Sequence, residues 1–245
     1  MKMPADNQVL LWFTPVDASY PAEVLQGFAA LLDPVETGRW QRFMQAQDRQ
    51  RFLLARGMVR SQVAALLGES DPASLRFTHN AHGKPALAAT PGKTPPLQFN
   101  LSHTDGMLVL AVSKSMALGV DVESIERKVD LLALSARYFS ACEHAELEEL
   151  QAPEQRERFL VLWTLKEAWL KARGLGLHIP LDDFSFSFGG KGPEISFGPQ
   201  LAEAPEDWQF RLLRQDKFRI ALAVQCSAAL PLQVNMQRWY PAALQ

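Results

Sequence analysis

An α+β fold is the class this sequence predicts. Strand and helix patterns are both present without regular alternation: three strand-like runs follow one another between Leu97 and Glu123, and three helical runs follow one another between Leu131 and Arg173. A doubly wound parallel sheet would interleave them one by one. The 245 residues, 47% hydrophobic, can bury one large core or two smaller ones.

In chain order, Val9 to Thr14 reads as a first strand and Pro21 to Leu32 as a short helix. A longer helical region from Pro34 to Leu67 carries Trp40, Phe43, Phe52, Leu53, Val59, Val63 and Leu66 among basic residues, and Gly68 is its expected stop. Leu75 to Thr78 is expected as a strand, Asn80 to Pro85 as a turn, and Ala89 to Pro96 as a Pro- and Gly-rich loop. Leu97 to Leu101, Met107 to Ser113 and Leu118 to Glu123 are the successive strands. Helices are expected at Leu131 to Phe139, Cys142 to Leu150 and Glu154 to Arg173, with Gly174 as a C-terminal stop. Strands near Phe184 to Phe188, Trp208 to Leu213 and Phe218 to Val224 complete the pattern. No internal repeat is visible in the sequence.

The chain has 25 basic and 27 acidic side chains, a net charge of −2, and a pI near 6.2. This balance argues against general nucleic-acid binding, so an anionic partner must be met by a local basic patch. The two cysteines, Cys142 and Cys226, are too few for a disulfide framework and read as free thiols of a reducing cytosol. Residues Met1 to Gln8 lack the apolar core of a signal peptide, and no run reaches the ~18 apolar residues of a membrane span. A soluble cytoplasmic protein is expected.

Two stretches carry chemistry. In Gly119-Val120-Asp121-Val122-Glu123 the strand period puts both carboxylates on one face and both valines on the other. In Trp163-Thr164-Leu165-Lys166-Glu167-Ala168-Trp169-Leu170-Lys171 the helical period puts Glu167 and Lys171 one turn apart, on the side that also carries Trp163. Carboxylate oxygens are hard ligands suited to Mg²⁺ or Mn²⁺, and Lys171 would meet a phosphate as a point charge. Either motif alone is also what a solvated strand face or a surface ion pair looks like. Arg39, Arg42, Arg49, Arg51, Arg56 and Arg60 all fall on the long helical region, where guanidinium groups either cover a solvated face or bind phosphate. Ser102 and His103 are neighbours on a strand and point to opposite faces, which opposes a serine-hydrolase pair. Gly83-Lys84 lacks the Walker glycine, Gly174-Leu175-Gly176 lacks the dinucleotide fingerprint, and Cys142 with His144 has no partners at zinc spacing.

In this order, Gly83-Lys84-Pro85, Asn100-Leu101-Ser102-His103, the Gly-Val-Asp-Val-Glu stretch and the Trp-x-x-Lys-Glu-Ala-x-x-Lys helix closely resemble the surfactin-type 4′-phosphopantetheinyl transferases. The match runs from about residue 39 to residue 180, and its Lys-Glu-Ala wording resembles the branch with that helix signature. The resemblance implies two pseudo-symmetric α+β halves meeting near Ala117, residues 1–117 serving coenzyme A and carrier contacts and residues 118–245 the metal and catalytic helix. It implies transfer of the 4′-phosphopantetheine arm of coenzyme A to a serine of an apo acyl or peptidyl carrier protein, releasing adenosine 3′,5′-bisphosphate. Fatty-acid, polyketide and nonribosomal-peptide synthesis are all open to the carrier.

By the same resemblance Asp121, Glu123 and Glu167 bind Mg²⁺, and Glu167, directly or through a metal-bound water, takes the serine proton. Lys171 stabilises the leaving phosphate, while Arg51, Lys84, Pro85 and His103, with groups near Asn100 and Ser102, hold the coenzyme. Arg39 is a weaker candidate, and other arginines are available to face an acidic carrier. One chain completes the cleft, so a monomer suffices. A metal-dependent phosphohydrolase and a non-catalytic module that docks on carrier proteins are the alternatives.

Overall fold

The structure, a computed structural model, describes residues 1–17, 19–89, 95–190, 192–227 and 229–242, apart from the side chain of Leu177. The chain runs twice through one topology. In the first pass, β1 (Gln8–Pro15) is followed by α1 (Ala22–Ala30), α2 (Pro34–Gln41), α3 (Ala46–Leu67), the hairpin β2 (Phe77–His79) and β3 (Pro85–Leu87), then β4 (Gln98–Thr104) and β5 (Met107–Ser113). In the second, β6 (Leu118–Ser124) is followed by α4 (Leu131–Tyr138), α5 (Ala141–Glu149), α6 (Ala152–Arg173), the hairpin β7 (Phe184–Gly189) and β8 (Gly192–Phe197), then β9 (Trp208–Gln215) and β10 (Phe218–Gln225). The strand orders β1-β5-β4 and β6-β10-β9 match, and every pairing within them is antiparallel.

The final strand, β11 (Gln233–Arg238), leaves the second pass and joins β1 in parallel on the edge of the first sheet. The second pass begins with β6, after β5, and the last strand belongs to the first sheet.

The strand period explains the layers. One face of the first sheet, Leu10, Trp12, Leu110 and Val112, is buried with Leu54 and Met58 of α3. Its other face, Val9, Leu11, Val109 and Ala111, meets Val120, Val122, Ile220 and Leu222 of the second sheet. Ala221 and Ala223, on the far side of the second sheet, pack with Leu165, Ala168 and Trp169 of α6. The order is helix, sheet, sheet, helix, with the Asp121 to Glu123 and Glu167 to Lys171 stretches on the second sheet and its helix.

The two long helices are equivalent in detail. Each has 22 residues and ends on a glycine in the left-handed region, Gly68 (φ 74°) and Gly174 (φ 65°). Arg60 lies fourteen residues after Ala46 and Lys166 fourteen after Ala152, and both cations are buried to within 1% exposure. Each pairs with the glutamate of a capping box on the preceding helix: Arg60 with Glu36 at 2.7 Å and Lys166 with Glu143 at 2.8 Å. Lys166 also donates to the carbonyls of Leu181 and Phe184 at 2.7 and 2.6 Å, and Glu143 accepts from the backbone of Phe186 at 2.9 Å. Removing Glu143 strands a buried ammonium, so Glu143→Ala is expected to cost about 3–5 kcal/mol in urea unfolding. A loss below about 1 kcal/mol would mean that the carbonyls alone neutralise Lys166.

Three expectations are corrected. The helical region from Pro34 to Leu67 is two helices, because Glu36 must reach Arg56 and Arg60; in one straight helix, 24 residues would separate Glu36 from Arg60 by about 36 Å. The turn ending at Pro85 continues into β3, and β8 and β11 are additional strands; β8 opens with Gly192-Pro193 and β11 alternates Val234 and Met236 with polar residues at a sheet edge. Residues 90–94 of the expected loop from Ala89 to Pro96 lie outside the described residues. Cys142 and Cys226 are free. Among the described residues, no helix is long and apolar enough to cross a membrane.

Candidate active site

The site forms where β4 and β6, edge strands of the two sheets, run beside α6. No backbone ladder joins these edges among the described residues. Alternate side chains of β4 join them instead: Asn100 accepts from the backbone N–H of Val120 at 2.9 Å, Ser102 donates to Asp121 Oδ1 at 2.9 Å, and Thr104 donates to Glu123 Oε2 at 3.4 Å. Asn100 and Ser102 are buried and thus help assemble the site. Thr104 completes the series and was not singled out from sequence, although the period-two spacing after Asn100 and Ser102 contains it.

Helix α6 approaches β6 closely because residue 119 has no side chain. A Cβ there would lie 2.1 Å from the Ala168 carbonyl oxygen and 2.3 Å from the Ala172 nitrogen. That approach brings Lys171 Nζ to 2.5 Å from Asp121 Oδ1 and 2.8 Å from Ser102 Oγ. Asp121 is 6% exposed, and its second oxygen, Oδ2, is buried without a hydrogen-bond partner. Burial, and next the charge of Asp121, pushes the Glu123 carboxyl up to about 7. The same two causes raise Glu167 above the usual carboxylate range, against the pull of Lys171 and Arg127. The three predicted carboxylates therefore share one electrostatic environment. Among the described residues, no three His, Cys, Asp or Glu side chains stand in metal-holding geometry; Lys171 contacts Asp121, and Arg127 contacts Glu123.

Two clefts flank this cluster. The larger, about 890 Å³, is lined by Arg51, His103, Thr104, Glu123, Arg127 and Lys217 among others. His103 points there, opposite to Ser102, and its pKa is held below the ordinary value by desolvation and then by the charges of Arg51 and Lys171. Arg51 pairs with Asp48 and reaches Asp105 at 3.8 Å. The smaller cleft, about 320 Å³, is lined by Lys84, Pro85, Asn100, Glu167, Lys171 and Gly174 among others.

The Lys84 ammonium donates to the carbonyls of Leu118 at 3.1 Å and Ala172 at 2.9 Å, tying the turn of the first half to β6 and α6. Burial draws its pKa down to about 8. Asn80 reinforces the clamp by donating to the Gly174 carbonyl at 2.6 Å while accepting from the backbone of His82 and Lys84.

The six arginines between Pro34 and Leu67 also separate. Arg56 and Arg60 serve Glu36, Arg49 donates to the Phe43 carbonyl at 2.8 Å, and Arg39 and Arg42 are exposed. Arg51 lines the larger cleft. Arg127 was missed from sequence; its signal is a guanidinium four residues after Glu123.

A family model described as the 4′-phosphopantetheinyl transferase superfamily matches residues 117–223, and one described as the 4′-phosphopantetheinyl transferase N-terminal region matches residues 20–115. The chain is 35% identical over 171 residues to the 4′-phosphopantetheinyl transferase HetI of Nostoc sp., covering 70% of each chain. It is 31% identical over 170 residues to the 4′-phosphopantetheinyl transferase Sfp of Bacillus subtilis, covering 69% of this chain and 72% of that one. A solved holo-(acyl-carrier-protein) synthase of Bacillus anthracis, in complex with CoA (3′,5′-ADP), aligns at 19% identity and a TM-score of 0.39 over 46% of this chain and 100% of that chain. With both halves matched in order, and two relatives above 30% identity over most of their length, the chain belongs to the 4′-phosphopantetheinyl transferase superfamily.

Proposed function

We propose that this chain transfers the 4′-phosphopantetheine group of coenzyme A to a serine of an apo acyl or peptidyl carrier protein, with Mg²⁺, and releases adenosine 3′,5′-bisphosphate. The observation that carries the reading is the convergence of Asp121, Glu123 and Glu167 with Lys171 between the two clefts. The buried, unpartnered Asp121 Oδ2 and the raised pKa values of its two carboxylate neighbours fit a site that lacks a cation's charge. Asp121, Glu123 and Glu167 would hold Mg²⁺, or Mn²⁺, which supplies charge neutralisation for the pyrophosphate.

The serine oxygen attacks the phosphorus that carries the pantetheine arm, and the bond from that phosphorus to the bridging oxygen breaks. The bond's electron pair leaves with adenosine 3′,5′-bisphosphate. The serine proton goes to Glu167, directly or through a water, because an unactivated hydroxyl is a poor nucleophile. Lys171 meets the charge that develops on the leaving phosphate. Arg51 and His103 would hold coenzyme phosphates from the larger cleft, and Lys84, with one ammonium donor beyond the two given to carbonyls, from the smaller one beside Pro85 and Asn100. Positions of α3 equivalent to Glu167 and Lys171 are Ser61 and Ala65, so the acid–base groups belong to the second half. Residues 1–117 would then serve coenzyme and carrier contacts, and one chain makes the whole site.

Lys171→Ala is expected to lower kcat about 10²-fold while coenzyme KM changes no more than a few-fold; unchanged kcat would leave Lys171 as a structural partner of Asp121 and Ser102. The reaction class is tested by chromatography of nucleotide products with and without apo carrier. Adenosine 3′,5′-bisphosphate that forms only with carrier supports transfer, whereas equal formation without carrier would make the protein a phosphohydrolase.

A further inference from the structure

Glu123 is a mostly buried carboxylate, its side chain 13% exposed, and its immediate partner is a cation of the protein itself, Arg127 Nη1. The Arg127 guanidinium lies over the Trp163 ring, 5.0 Å from its centroid, and lines the larger cleft. Its backbone is pinned independently of its side chain: Arg156 donates to the Arg127 carbonyl at 2.8 Å, and the Arg127 N–H donates to the Ser124 carbonyl at 3.0 Å. The side chain, 31% exposed, is therefore the part that can turn. A solvated i,i+4 pair would have neither a buried carboxylate on one side nor an indole on the other.

We propose that Arg127 is a positioning residue of this site: a tethered guanidinium that occupies Glu123 until a divalent cation takes the carboxylate, and then turns to the phosphates of the coenzyme in the larger cleft. The proposal rests on the reading of Asp121, Glu123 and Glu167 as a cation site. Two positive groups cannot share one carboxylate without mutual repulsion, so guanidinium and metal compete for Glu123. A guanidinium released beside the cleft matches the bidentate geometry of a phosphate, and the Trp163 face keeps it from returning to bulk solvent. The contact would thus keep Glu123 compensated in the resting protein and supply an anion-binding group only when the metal is in place.

The test is Mn²⁺ binding to the full chain, followed by the electron paramagnetic resonance signal of free Mn²⁺. Arg127→Ala is expected to bind Mn²⁺ about five-fold more tightly without coenzyme and, at saturating Mn²⁺, to bind coenzyme A about ten-fold more weakly by calorimetry. Wild type and variant with equal Mn²⁺ affinity would overturn the proposal while leaving the metal site intact. No Mn²⁺ binding to wild type, with or without coenzyme A, would bring down the cation site and this proposal with it.

Discussion

Asp121→Asn is expected to abolish measurable transfer, a fall of at least about 10³-fold in kcat/KM, with the circular dichroism spectrum unchanged. Asp121 accepts from both Lys171 and Ser102, and its charge, after burial, raises the pKa values of Glu123 and Glu167. Asparagine keeps the volume and one carbonyl acceptor but removes the negative charge on which cation binding would depend. Mn²⁺ affinity should fall with activity. Full transfer by the variant would show that Asp121 serves β4 to β6 cohesion alone.

Gly119→Ala has the largest expected effect on the fold. The added Cβ would meet backbone atoms of α6 at 2.1 and 2.3 Å, and backbone, unlike the end of a flexible side chain, has no rotamer to change. Helix α6 must move off β6, at a cost of about 3 kcal/mol or more, carrying Glu167 and Lys171 away from Asp121. Stability and transfer should be lost together. Gly38→Ala is the control: Gly38 lies in α2 with nothing within 4 Å of its added Cβ, so it should stabilise by about 0.5–1 kcal/mol. Thermal melting of both variants measures the contrast, and a Gly119→Ala protein that melts with wild type would show that the second sheet and α6 are not locked at this point.

Much of this arrangement was legible in the sequence because it follows from local periods. The alternation around Asp121 placed its strand and both carboxylates, and the i,i+4 spacing of Glu167 and Lys171 placed them on one helix face. Gly68 and Gly174 marked the ends of the two long helices, where both take positive φ. What escaped depends on distant partners. The break before Ala46 is imposed by the Glu36 to Arg60 ion pair, and the edge strand β11 has too weak an alternation to stand out until β1 is there to pair with it. The repeated topology leaves no visible sequence repeat because its equivalent positions carry different residues: Arg60 answers to Lys166, and Ser61 to Glu167. Lys84 was read as a coenzyme ligand from its motif; its two carbonyl partners, in Leu118 and Ala172, are 34 and 88 residues away and show only in three dimensions. Arg127 escaped for the opposite reason, since a nearby ion pair in sequence looks like any solvated one until Trp163 is seen beneath it.

The central claim is that Asp121, Glu123, Glu167 and Lys171 form the centre of a metal-dependent phosphopantetheinyl transfer. Intact-protein mass spectrometry of several apo carrier proteins, incubated with this protein, coenzyme A and Mg²⁺, tests it most directly. The account predicts the gain of one phosphopantetheinyl group on at least one carrier, lost when a chelator is added or when Asp121→Asn replaces wild type. A gain that persists with chelator would contradict the metal's role, and no gain on any carrier would contradict the transfer itself.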